Sequence, residues 1–105
     1  MTAAMQQGRL WIRLMKASKS LRDVTVQASR DDPEAAMREA LPALDLSQPM
    51  WLPRHWMDWE EYAFTRFLPE HFVESVYFDR MEVRYLFPEG VEKPVRRNRS
   101  VLEDV

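Results

Sequence analysis

Both histidines of the chain, His55 and His71, fall within residues 49–72, PMWLPRHWMDWEEYAFTRFLPEHF, alongside Asp58, Glu60, Glu61, Glu70 and Arg66. Imidazoles beside carboxylates are the usual material of general acid–base catalysis, and histidines with acids are common zinc ligands. The spacing supports neither chemistry. The two histidines are not one helical turn apart, and the pattern places no further ligand for a metal that would hold a catalytic water. The expectation is therefore ordinary surface histidines and solvated acids, with no catalytic residue, no metal and no cofactor. His55 and Arg66 are kept as candidate contacts for a small ligand. Arg66 lies between Phe64 and Phe67 and is expected to be partly buried, which requires a counter-charge from Glu61, Glu70 or Asp79. Only two glycines, Gly8 and Gly90, are present, so there is no glycine-rich loop to cradle a phosphate.

The same stretch carries Trp51, Trp56, Trp59, Tyr62, Phe64, Phe67 and Phe72, and eleven of the chain's twelve aromatic residues lie from Trp51 to Phe87. Each buried aromatic ring hides on the order of 150–250 Å², so this density is expected to form a lid over the core of a small sheet. An aromatic-lined pocket is the alternative, and nothing in the spacing prefers it.

A chain of 105 residues holds one core, and 46% hydrophobic with 30% charged residues is the profile of a folded domain. The net charge of −2 gives no general attraction to nucleic acid or an anionic membrane. No cysteine is present, which removes disulfides, thiol nucleophiles and thiolate metal sites and permits a reducing compartment. Apolar runs stop at three residues, as in Leu10 to Ile12, too short for a membrane span or a signal core. A cytoplasmic location is expected. No internal repeat or low-complexity tract is read. Residues 1–8 are expected to be a disordered N-terminus and residues 9–88 a single domain. Residues 89–105 are expected to form a flexible tail, whose VRRNRS cluster is taken as solvated.

The elements that must position these groups follow from periodicity. RLWIRLMKA alternates Leu10, Ile12 and Leu14 with Trp11, Arg13 and Met15, and DVTVQAS alternates Val24 and Val26 with polar residues, which predicts two strands of a hairpin. Asp32 followed by Pro33 and Glu34 is a helix start, and Ala36, Met37, Ala40, Leu41 and Leu44 share its apolar face until Pro42 disturbs it. PMWLP is expected as a short edge strand, Asp58 with Glu61 as the capping box of a brief helix, and TRFLPEHFVESV as irregular chain turned by Pro69. FDRMEVRYLFP places Met81, Val83, Tyr85 and Phe87 on one face of a last strand.

This order, β-hairpin, helix, short strand, short helix and final strand, resembles β-grasp domains. The resemblance implies an α+β fold with a mixed sheet whose first and last strands lie side by side and parallel at the centre, beneath the aromatic-rich lid. The helix is then expected to cover Leu10, Ile12, Leu14, Val24, Val26, Val83 and Tyr85. A ferredoxin-like arrangement competes but requires a second full helix of roughly ten residues, where residues 54–75 offer prolines. The series WLP, EEY, TRFLPEHF and FDRMEV is also similar to a group of short uncharacterised bacterial proteins. The likeness covers about residues 9–87, supports one intact domain and implies no activity.

With the first and last strands adjacent, Trp11, Arg13 and Met15 are expected beside Arg80, Arg84 and Leu86 on the outer face. Aromatic, Met and Arg side chains are the types enriched at protein interfaces. That pad points to a non-enzymatic module that binds a protein partner or forms a homodimer, with no membrane role. Single-stranded RNA stacked on the same pad is the alternative, against which stands Glu82 in its middle. A hydrolytic or small-molecule site at His55, Asp58, Glu61 and Arg66 is the third reading.

Overall fold

The computed structural model describes residues 8–88; the expectations for residues 1–7 and 89–105 lie outside them. The chain is α+β. β1 (Gly8–Lys16) and β2 (Lys19–Ala28) form a hairpin, followed by α1 (Pro33–Ala40) and a 3-10 turn (Leu41–Leu44). Then come α2 (Pro53–Tyr62), β3 (Phe64–Phe67), a 3-10 turn (Pro69–His71) and β4 (Arg80–Leu86). One sheet of order β2-β1-β4-β3 results, with every pairing antiparallel.

The first and last strands are indeed central neighbours, but they run antiparallel where the β-grasp resemblance implied parallel. The reversal comes from elements that the apolar pattern did not separate. PMWLP is not a strand, and α2 starts at Pro53 instead of at Asp58. Proline at the first helical position loses no hydrogen bond there and already has the helical φ. FTRF, of which residues 65–67 are expected to be irregular, is the extra edge strand, with Thr65 and Phe67 inward and Phe64 and Arg66 outward. A strand added between the second helix and β4 turns the chain once more, and β4 therefore descends beside β1.

α1 forms as its sequence requires. The Asp32 side chain accepts from the Ala35 N–H at 3.2 Å, Pro33 opens the helix, and Ala36, Met37, Ala40, Leu41 and Leu44 are all buried. Pro42 falls in the following 3-10 turn, which ends at Asp45 in the left-handed region. Both helices lie over the inner sheet face, where Leu10, Ile12, Leu14, Met81, Val83 and Tyr85 are buried and Val24 and Val26 partly so.

β1 begins at Gly8, inside the stretch expected to be disordered. Its amide donates to the Tyr85 hydroxyl at 2.9 Å, and a Cβ there would overlap the Leu86 carbonyl oxygen and lie 2.8 Å from the Tyr85 ring. Gly8→Ala is therefore expected to cost on the order of 1–3 kcal/mol through overpacking. Urea denaturation beside the exposed control Arg9→Ala checks this, and equal midpoints for the two variants would show that the end of β1 yields freely.

Candidate interaction surface and the paired histidine turns

Because both helices sit on one face, the other face of the sheet is uncovered among the described residues. Register sets its side chains in rows across the strands. One row runs Thr25, Trp11, Arg84, Phe64, and the next Asp23, Arg13, Glu82, Arg66. Arg9 and Leu86 flank them on one side and Arg80 on the other. Five guanidinium groups thus share this face with two carboxylates.

Local bonds hold the rows in place. The Trp11 Nε1–H donates to Asp23 at 2.8 Å, and Arg13 lies 4.7 Å over the indole ring. Arg84 lies 4.5 Å over Phe64. Glu82 accepts from Arg13 at 2.7 Å and from Arg80 at 2.9 Å. Burial pushes the Glu82 carboxyl up, but the hydrogen bonds from Arg13 and Arg80 and their charges outweigh it and hold the group below the usual carboxylate range. One carboxylate therefore satisfies two arginines. Among the described residues Arg9, Arg66 and Arg84 have no ion-pair partner, and all three are exposed.

Three expected placements change. Met15 keeps its register opposite Arg80 but is only 7% exposed, so it adds no open apolar surface to the pad. Arg66 is not a buried anchor; it stands exposed on the open face opposite Glu82. Asp79, one of its expected partners, accepts instead from the Ala17 N–H at 2.6 Å in the β1–β2 turn.

The histidines are the larger correction, since His55 is 0% exposed and His71 is buried beside it. Their surroundings show a short repeat that escaped notice in the sequence: Leu52-Pro53-Arg54-His55 and Leu68-Pro69-Glu70-His71. In each, the leucine is the N-cap, proline takes the first helical position, and the histidine Nδ1 accepts from the leucine N–H at 2.9 Å. The histidine N–H returns to the leucine carbonyl, also at 2.9 Å. Imidazole thus does the work that Glu or Gln does in a capping box. An Nδ1 that accepts must be unprotonated, which places the neutral ring's hydrogen on Nε2.

The two turns pack together. The Met50 N–H donates to the His71 carbonyl at 2.8 Å, the imidazoles meet edge to face at 4.6 Å, and Phe67 stacks on His55 at 4.3 Å. Trp51 lies edge-on to Phe67 at 5.0 Å and leans on Trp56 at 4.3 Å. This is the aromatic lid, with Trp59, Phe67 and Phe72 buried. Tyr62 is 52% exposed and Phe64 belongs to the opposite face, so neither joins it.

His55 Nε2 is buried and makes no well-formed hydrogen bond, with only a weak contact to the Arg66 backbone. Burial lowers its pKa from 6.5 to about 4, His71 and Arg54 add to the effect, and Asp58 and the Arg66 backbone oppose it. An imidazole held neutral, buried and spent on a cap is not presented to a substrate. Arg66 lies on the far side of the sheet from the lid, and His55, Asp58, Glu61 and Arg66 therefore do not converge. Among the described residues no group of three or more His, Asp or Glu side chains is placed to hold a metal ion. No described helix is long and apolar enough to cross a membrane.

A cleft of about 500 Å³ opens beside the lid, lined by Arg30, Asp31, Trp56, Trp59, Glu60 and Phe87. Its central pair is bonded internally. The Trp59 Nε1–H donates to the Arg30 carbonyl at 2.8 Å, and the Arg30 guanidinium reaches the Glu60 carbonyl at 3.2 Å while lying 5.4 Å over the indole. No protein-family model, curated protein or solved structure matches the chain.

Proposed function

We propose that the protein is a non-enzymatic binding module of the cytoplasm whose open sheet face takes an acidic segment of a protein partner. The observation that carries this is the row of Trp11, Arg84 and Phe64, with Arg9 and Arg66 close by, on a face with no covering layer among the described residues. Arg and aromatic side chains dominate binding energy at interfaces, and guanidinium groups pair carboxylates in a planar, two-pronged way. Arg13, Arg80 and Glu82 neutralise one another in part and act as the rigid floor. Arg9, Arg66 and Arg84 supply the unmatched charge.

A second reading rests on the same row. Trp11 and Phe64 with Arg84 between them form a platform on which the bases of single-stranded RNA could stack. Such binding weakens steeply with added salt, because each neutralised phosphate releases counterions.

The test is capture from the native lysate on the wild-type chain and on a folded Arg66→Glu, Arg84→Glu variant, with and without nuclease. A protein held by wild type, resistant to nuclease and reduced at least about tenfold by the variant is the expected result, since fully engaged charge pairs are each worth that much or more. Capture abolished by nuclease would transfer the reading to RNA. Equal capture by both baits would remove the sheet face from consideration.

A further inference from the structure

β2 is the longest strand of the sheet and one of its edges, and among the described residues only β1 pairs with it. An open edge is a template for another strand, and proteins usually guard one by shortness, proline, charge or a bulge. The opposite edge is guarded: β3 has four residues and is followed closely by Pro69. β2 has ten residues and no proline. Its irregularity lies near the hairpin turn, where the register skips Leu21, while residues 22–28 pair with β1 without interruption.

That regular half is self-complementary. Asp23-Val24-Thr25-Val26-Gln27 has the same pattern of side-chain types read from either end. We infer that β2 pairs antiparallel with β2 of a second copy of this chain, about a two-fold axis through Thr25, to give one eight-stranded sheet. The axis sets Thr25 against Thr25, Val24 against Val26 twice, and Asp23 against Gln27 twice. Each is a favourable cross-strand pair: hydroxyl to hydroxyl, β-branched to β-branched, and carboxylate to amide donor. A two-fold axis perpendicular to the sheet keeps faces together, so Val24 and Val26, only partly buried in one copy, gain apolar neighbours on the helix side. Thr25 is exposed on the outer side and meets its equivalent there.

The pairing also extends the open face. The row Phe64, Arg84, Trp11, Thr25 continues through the same residues of the second copy in reverse order. Adjacent strands lie about 4.8 Å apart, so the two Trp11 side chains are rooted ~14 Å from each other on one continuous surface. The dimer does not depend on the binding reading, because Arg66 and Arg84 report on that surface and Thr25 reports on the axis.

The test is sedimentation of the full chain over a concentration series. Wild type is expected to dimerise. Thr25→Lys and Thr25→Glu each place like charges face to face and are expected to weaken dimerisation at least about tenfold, while an equimolar mixture of the two variants restores it. Circular dichroism confirms that both variants fold. The chain has no cysteine, so Thr25→Cys puts a single sulfur per copy at the axis, and mild oxidation should cross-link it readily. In Gln27→Cys the two sulfurs are separated by four strand positions, ~14 Å, and should cross-link poorly. A wild type that stays monomeric throughout, charge variants that dimerise as wild type does, or equal cross-linking at residues 25 and 27 would each overturn the inference.

Discussion

Replacing Phe67 by alanine will cost the domain about 3–5 kcal/mol, the range for deleting a fully enclosed phenylalanine ring. The ring is 0% exposed. It projects from β3, a strand of only four residues, so few other groups hold that segment to the core. On one side it stacks on His55, and Trp51 and His71 meet it edge-on at 5.0 and 6.3 Å. Truncation therefore opens a cavity against two helix-capping imidazoles and loosens both turns at once. Net stability of a domain this size is on the order of 5–15 kcal/mol, and the variant should lose a large part of it. Phe64→Ala, three residues earlier on the open face, should cost under about 1 kcal/mol, because its ring is only partly covered and no cavity forms. Urea titration of both variants decides the matter, and comparable losses would contradict the assignment of the two faces.

That contrast between Phe64 and Phe67 shows what the sequence made legible and what it did not. Period-two alternation identified β1, β2 and β4 and their inward residues, because seven or more alternating positions leave little ambiguity. β3 is too short for any periodicity to register, and its two phenylalanines read as a single apolar patch when they point in opposite directions. With β3 unseen, nothing revealed the extra reversal, and β4 was assigned the wrong sense beside β1 while its position was right.

The capping logic was sound in kind and misplaced in detail. Asp32 ahead of Pro33 gave α1 its start. Asp58 with Glu61 looked like another capping box, but the helix had already begun at Pro53, capped by His55. Histidine is seldom considered in that role. The signal that would have found it was the recurrence of Leu-Pro-x-His, with Trp56 and Phe72 next in line. Of the outer pad, Trp11, Arg13, Arg80 and Arg84 stand where alternation put them. Met15 keeps its register as well but is buried, and that burial cannot be read from alternation alone. Arg66 became a member of the face only once β3 was in the sheet.

The buried imidazole leads to the second large expected effect, a loss of stability on mild acidification. His55 has its pKa lowered from 6.5 to about 4. Between those values the unfolded chain binds a proton that the folded chain refuses, and stability must fall as pH falls. The contribution is complete above about pH 6.5, is lost progressively down to about pH 4, and amounts to some 2–3 kcal/mol. Protonation at Nδ1 would also sever the bond from the Leu52 N–H. The charges around the ring do not compensate. Burial, His71 and Arg54 all disfavour a second cation, and Asp58 and the Arg66 backbone answer only in part. The lowered carboxyls of Glu74 and Glu82 act in a separate window, since each titrates below the ordinary value of 4.5 and matters only at lower pH. His55→Gln keeps an acceptor for the Leu52 amide, as glutamine does in an ordinary capping box, but has no proton to gain. Urea denaturation at steps from pH 7 to 4.5 should therefore show a steep decline for wild type and a much flatter one for His55→Gln. Parallel declines would mean that the acid sensitivity resides elsewhere and that the His55 ring is free to charge in place.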